Sequence, residues 1–175
     1  MKTLDQVVQE ATTQELQING IDKKTLVDLL QDALAEEFNQ WYMYTIVAPY
    51  LVGPKRINTV KIYEEQAEDE LKDHAYWLME RINQLGATPN NIWSPDDWDK
   101  VATHKYIVPK DSCDVIENIK QNIESEKGAI ETYAKLEQLT RDKDVVTNNK
   151  MKEILSDEQE HLQNLEDILA DIKNS

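Results

Sequence analysis

The chain has 175 residues, enough for one domain with a full helical core, and carries 34 acidic against 19 basic side chains for a formal net charge of −15. That balance excludes nucleic acid as an expected partner, because no Lys/Arg cluster is present to neutralise phosphates, and no apolar run is long enough to span a membrane. The opening stretch MKTLDQVVQEATTQ has no apolar segment of signal-peptide length and the lone Cys113 has no internal disulfide partner, so the expected location is cytoplasmic.

Residues 1–22 read as a polar lead-in that closes at Asn19-Gly20. Asp22 is a natural N-cap for a first long helix over 23–52, in which Leu26, Leu29, Leu30, Ala33, Leu34, Phe38 and Trp41 fall at helical spacing. Pro49 should kink its last turn, and Gly53-Pro54 ends it. The second helix, 56–85, stops at Gly86, a favourable residue just past a helix end. Residues 87–111 are rich in Pro, Asn and Asp, with Ser94-Pro95 marking a short helix start, and are long enough to serve as a crossover. Asp111 or Ser112 would cap a third helix over 113–141, and a fourth runs over 145–173. The expectation is an all-α, antiparallel four-helix bundle over 23–175, with the long crossover between helices two and three.

Each of the four helices carries a mid-helix glutamate. Glu70 precedes His74 by four and Glu158 precedes His161 by three, offsets that place each pair on one helix face. Glu37 and Glu126 stand alone on the other two helices. Tyr44 and Tyr133 each follow their glutamate by seven, so the first two helices echo the last two. A glutamate from each of two helices plus a Glu/His pair from each of the other two is the ligand set of a carboxylate-bridged dimetal bundle. Glu37 with His74 would serve one metal and Glu126 with His161 the other, with Glu70 and Glu158 bridging. Iron, manganese and zinc all suit such ligands.

Taken singly, the motifs are weak in a chain with 34 acids; the combination at matched depth carries the specificity. Helix phase prefers Glu37 over Glu36 and Glu126 over Glu124. Glu68, Asp69, Asp73 and Glu160 read as solvated. Tyr44 and Tyr133 read as core tyrosines whose hydroxyls bond a carboxylate. Trp41, Trp77, Trp93 and Trp98 read as packing or interface residues, and His104 as an ordinary surface or hydrogen-bonded loop histidine.

Over 23–173 the chain resembles the ferritin-like superfamily. AEEFNQWYMY, AEDELKDHAYWLMERINQLG, ESEKGAIETY and ILSDEQEHLQNLEDIL are similar to the four metal-binding helices of bacterioferritins, with Glu37, Glu70, His74, Glu126, Glu158 and His161 on the ligand positions and Tyr44 on the tyrosine near the metals. The long connection and QNIESEKGAIETY look like the Dps-like, or thioferritin, branch. The resemblance implies two irons per subunit, with manganese or zinc as substitutes. It also implies oxidation of Fe(II) by hydrogen peroxide or dioxygen, and Fe(III) storage in a hollow homo-oligomer, a dodecameric cage in that branch. Three departures bear on this. His104 and Gly128 fall where the branch carries a cysteine pair. Leu71 replaces the methionine that binds haem, so no haem is expected. The extra residue in ELKDH requires a π-bulge or a shifted His74. Two other readings fit the residues: a manganese catalase or other dimetal oxidoreductase without a cage, and a structural bundle whose Glu/His pairs are interface salt bridges.

Overall fold

The computed structural model describes residues 18, 20–53, 56–90, 111 and 114–174. Among them are four long helical rods and no strand. The first is α1 (Lys23–Tyr50). The second is built of α2 (Arg56–Asp69), a π-helical turn (Glu70–Ala75) and α3 (Tyr76–Gln84). The third and fourth are α4 (Val115–Thr140) and α5 (Val145–Lys173). The second rod packs along α1 and α4 packs along α5; α1 with α4 and α2 with α5 close the bundle. No helix among these residues is long and apolar enough to cross a membrane.

Local chemistry sets the ends. Asp22 accepts from Thr25 N at 2.9 Å, so α1 starts where the sequence places it. Gly86, at φ +74°, lets the chain turn left-handed, and Ala87 N then reaches back to Ile82 O at 3.1 Å. The third helix begins later than its sequence suggests. Asp114 is its cap, accepting from Glu117 N at 3.1 Å, rather than Asp111 or Ser112. Of the two readings of ELKDH, the structure adopts the first: the additional residue is absorbed in one wide π turn, so residues beyond it keep the faces they would have without the insertion. The lead-in before residue 18, the Ser94-Pro95 start, Trp93, Trp98, His104 and Cys113 lie outside the described residues.

Apolar side chains gather in two clusters. Leu26, Leu30, Leu34, Leu78, Ile82, Leu136 and Met151 belong to one, and Val47, Leu51, Tyr63, Ile119, Leu165 and Ile172 to the other. On every rod the mid-helix glutamate falls between the stretch feeding one cluster and the stretch feeding the other. The glutamates are thus carried into the centre of the bundle by the hydrophobic burial on both sides of them.

Candidate metal centre

Glu37, Glu70, His74, Glu126, Glu158 and His161 all point into this middle layer, each buried. Ligand atoms of Glu37, Glu70, His74 and Glu158 lie within 4.8 Å of one another, and so do those of Glu70, Glu126, Glu158 and His161. The two groups share Glu70 and Glu158. All six residues singled out in the sequence are therefore brought together, in the two sets expected of them. His74 lies within the π turn, and its Nδ1 stands 3.1 Å from both Glu37 Oε2 and Glu70 Oε2. His161 Nδ1 stands 3.2 Å from Glu70 Oε1 and 3.4 Å from Glu158 Oε2.

Four carboxylates this close, and this dry, repel one another. Burial first, then Glu158 and Glu70, push the Glu126 carboxyl well above its ordinary range; burial first, then Glu37, raises Glu70. Burial alone would keep the two imidazoles neutral, but the carboxylates around them outweigh it and raise both above the usual histidine range, Glu37 foremost at His74 and Asp69 at His161. Several donor atoms nonetheless have no hydrogen-bond partner: both oxygens of Glu158, Glu70 Oε1 and His161 Nδ1. Against four buried carboxylates stand two imidazoles, 3.2–3.4 Å from these oxygens, so the cluster is short of positive charge and suits added cations. Oxygen and imidazole donors in two overlapping sets fit two divalent cations bridged by Glu70 and Glu158.

The surrounding shell orients these donors. Tyr44 donates to Glu126 Oε1 and Tyr133 to Glu37 Oε1, from fully buried rings whose hydroxyls are pushed well above their ordinary pKa by burial and then by the same carboxylates. Both tyrosines thus bond a carboxylate from the core, as their spacing from Glu37 and Glu126 suggests. Three further residues belong to the shell without a motif to mark them. Asp157 lies 3.3 Å from His74 Nε2, and Asp69 lies 3.4 Å from His161 Nε2. Each carboxylate thus grips the histidine of the opposite helix and turns its Nδ1 inward. Asp69 is more than the solvated acid its sequence suggests; its side chain is 57% exposed, yet it reaches the ring. Its contact with His74 lowers Asp157. The available signal was the repeated Asp-Glu doublet, Asp69-Glu70 and Asp157-Glu158. The third is Gln40, whose Nε2 donates to Glu126 Oε2 at 2.9 Å; nothing in the sequence separates it from a surface glutamine.

The neighbouring acids divide. Glu124 is exposed and pairs with Lys127 at 2.7 Å, while Glu36 is buried despite its helix phase. Asp73 and Glu68 pair at the surface with Lys150 and Lys72, at 2.8 and 2.5 Å. Trp41 and Trp77 pack against the two apolar clusters.

A four-helix bundle with four carboxylates and two histidines across its middle has the architecture of the carboxylate-bridged dimetal proteins. Comparison with known proteins makes the assignment specific. A family model described as a ferritin-like domain matches residues 27–175. The DNA protection during starvation protein of Pyrococcus furiosus is 32% identical over 153 residues, covering 86% of this chain and 80% of that one. A dodecameric thioferritin, the bacterioferritin-related protein of Bacteroides fragilis, has 34% identity and a TM-score of 0.83, covering 95% of each chain. A ferritin-like diiron-carboxylate protein from Bacillus anthracis has 26% identity and a TM-score of 0.71, covering 86% of this chain and 99% of that one. The chain belongs to the ferritin-like family.

Proposed function

We propose that the protein is a cytoplasmic ferroxidase and iron store. It takes two Fe(II) into the centre of each subunit, oxidises them with hydrogen peroxide or dioxygen, and holds the Fe(III) in a cage of identical subunits, so protecting the cell from oxidative damage. The observation that carries this reading is the gathering of four buried carboxylates around only two inward-facing histidine nitrogens, with Glu158 and Glu70 common to both sets of possible ligands. With peroxide, two Fe(II) each give up one electron, and the peroxide takes both with two protons to become two waters. Pairing the electrons avoids releasing a one-electron-reduced hydroxyl radical.

The residues have distinct parts in this scheme. Glu37 and His74 bind one Fe(II), Glu126 and His161 the other, and Glu70 and Glu158 neutralise and join both. Tyr44 and Tyr133 hold the terminal glutamates, and Asp69 and Asp157 hold the histidines. The net charge of −15 favours cation approach. The similarity to a dodecameric thioferritin over 95% of the chain supports the cage.

Anaerobic titration of the apo-protein with Fe(II), followed by a stoichiometric peroxide pulse read by ultraviolet absorbance, tests the proposal. Saturation near two Fe(II) per chain, with fast oxidation lost in Glu126→Ala and His161→Ala, is the expected result. Uptake indifferent to both substitutions would sink it.

A further inference from the structure

The bundle repeats itself. Glu37 corresponds to Glu126, Glu70 to Glu158, Tyr44 to Tyr133 and Asp69 to Asp157, so the half built from α1 and the second rod mirrors the half built from α4 and α5. Beside the donors, however, the repeat is broken. Gln40, three residues after Glu37, is matched by Ala129, three residues after Glu126; both are buried. Gln40 reaches across to Glu126, and an alanine offers Glu37 nothing in return.

The terminal carboxylates are consequently held in different ways. Glu126 accepts from two neutral donors on α1, Gln40 Nε2 at 2.9 Å on one oxygen and the Tyr44 hydroxyl on the other. Glu37 accepts from Tyr133 on one oxygen only; its other oxygen faces His74 Nδ1 at 3.1 Å. A cation bound by Glu37 and His74 would replace that last contact, since it would occupy the same nitrogen. Glu126 would keep both of its anchors, because each carboxylate oxygen has a second lone-pair site.

The difference continues outward. The Tyr44 ring lies 5.0 Å from that of Tyr63, whose hydroxyl donates to Asn118 Oδ1 at 2.5 Å and accepts from Asn122 Nδ2 at 3.0 Å. The mirrored positions of Tyr63, Asn118 and Asn122 are Met151, Leu29 and Ala33, all apolar and all part of the cluster around Tyr133. One terminal carboxylate is backed by a hydrogen-bonded polar scaffold, the other by aliphatic packing.

We propose that Gln40 is a positioning residue that makes the two metal positions unequal, so that the Glu126/His161 position binds a divalent cation more tightly than the Glu37/His74 position. The inference rests on the metal-centre reading given above. A carboxylate already fixed in its ligating orientation loses less conformational freedom when a cation arrives, and outer-shell hydrogen bonds of this kind commonly change metal affinity by about ten- to a hundredfold.

The test is anaerobic titration of the assembled full-length apo-protein with Co(II), followed by its visible absorption, with thermal unfolding of the apo forms alongside. Wild type should fill in two separable steps, the tighter one missing from His161→Ala and the weaker one from His74→Ala. Gln40→Met, which keeps the volume and removes the donor, should weaken the tighter step by about tenfold or more and leave the weaker step in place, while cooperative apo unfolding shows that the fold is kept. Gln40→Ala, copying the mirrored residue, should shift the same step and serves if the methionine variant fails to assemble. Equal steps in wild type, a tight step that belongs to His74, or a uniform loss of both steps in the Gln40 variants would overturn the inference while leaving the metal centre standing. If wild type bound no Co(II) at all, the proposed function would fall, and this inference with it.

Discussion

Glu126 shows how far the centre departs from what a folded core favours. It is buried among Glu70, Glu158 and neutral donors, and both burial and the neighbouring carboxylates oppose its ionisation. A neutral amide of the same shape removes that opposition. Glu126→Gln is therefore expected to raise the apo-protein's stability, by about 1 kcal/mol or more, seen as a melting temperature about 2–4 °C higher, while abolishing uptake of the second Fe(II). Unchanged or lower apo stability would count against the electrostatic account. The shifts at Glu70, Glu126, His74 and His161 are all upward, so over this range the folded apo-protein holds more protons than the unfolded chain. Their contribution to stability is complete below the ordinary values, 4.5 for the carboxyls and 6.5 for the imidazoles, and declines as pH rises past them. Melting temperature recorded in chelator should accordingly fall from about pH 5 to about pH 8, and metal loading should remove the decline.

Among the elements, the π turn has the clearest consequence. One residue inserted into a regular helix would rotate everything beyond it by about 100°, carrying Leu78 and Ile82 out of the core. The wide turn over Glu70–Ala75 confines the disturbance, and Ala75, Leu78 and Ile82 remain fully buried. Deleting Lys72 should therefore restore an ordinary helix without repacking, with helical circular dichroism preserved and the melting temperature within about 5 °C of wild type. Collapse of the fold would show that the turn is required for more than absorbing a residue. The other element-scale tie is Arg81 of α3, which donates to Asp144 at 2.7 Å and to Thr147 at 2.8 Å and so joins the second rod to the start of α5. Both charges are buried, so Arg81→Met removes the guanidinium from the Asp144 carboxylate and leaves it only its Thr147 hydrogen bonds. Denaturant unfolding should show a loss of about 3–5 kcal/mol.

At the scale of the molecule, two halves of similar sequence close around one polar layer, and each half contributes side chains to both groups of possible metal ligands. Large apolar side chains left exposed at Ile46, Tyr50, Val52 and Ile57, near the junction of α1 and α2, suit a surface that a neighbouring copy covers. Light scattering should find the purified protein as a closed assembly of about twelve chains, as in the thioferritin it resembles, whatever its iron content. A monomer binding two cations would retain the centre and discard the storage role.

Much of this was written in the sequence because helical periodicity is local. The four rods follow from apolar spacing, the cap at Asp22 and the stop at Gly86. The six inward residues stand out because each of four helices carries a glutamate at the same depth, twice with a histidine one turn on, and chance scatter of surface acids rarely produces that register. Tertiary structure decided what depends on crossing from one helix to another. Asp69 reads as a solvated acid and Asp157 carries no motif of its own; both acquire meaning because each meets the histidine of the opposite helix. Gln40 is likewise an unremarked polar residue until α1 lies against α4, and Glu36 is buried against its helix phase by neighbours that periodicity does not see. Spacing along a helix fixes which face a side chain shares; which partner waits on that face is settled by packing between helices.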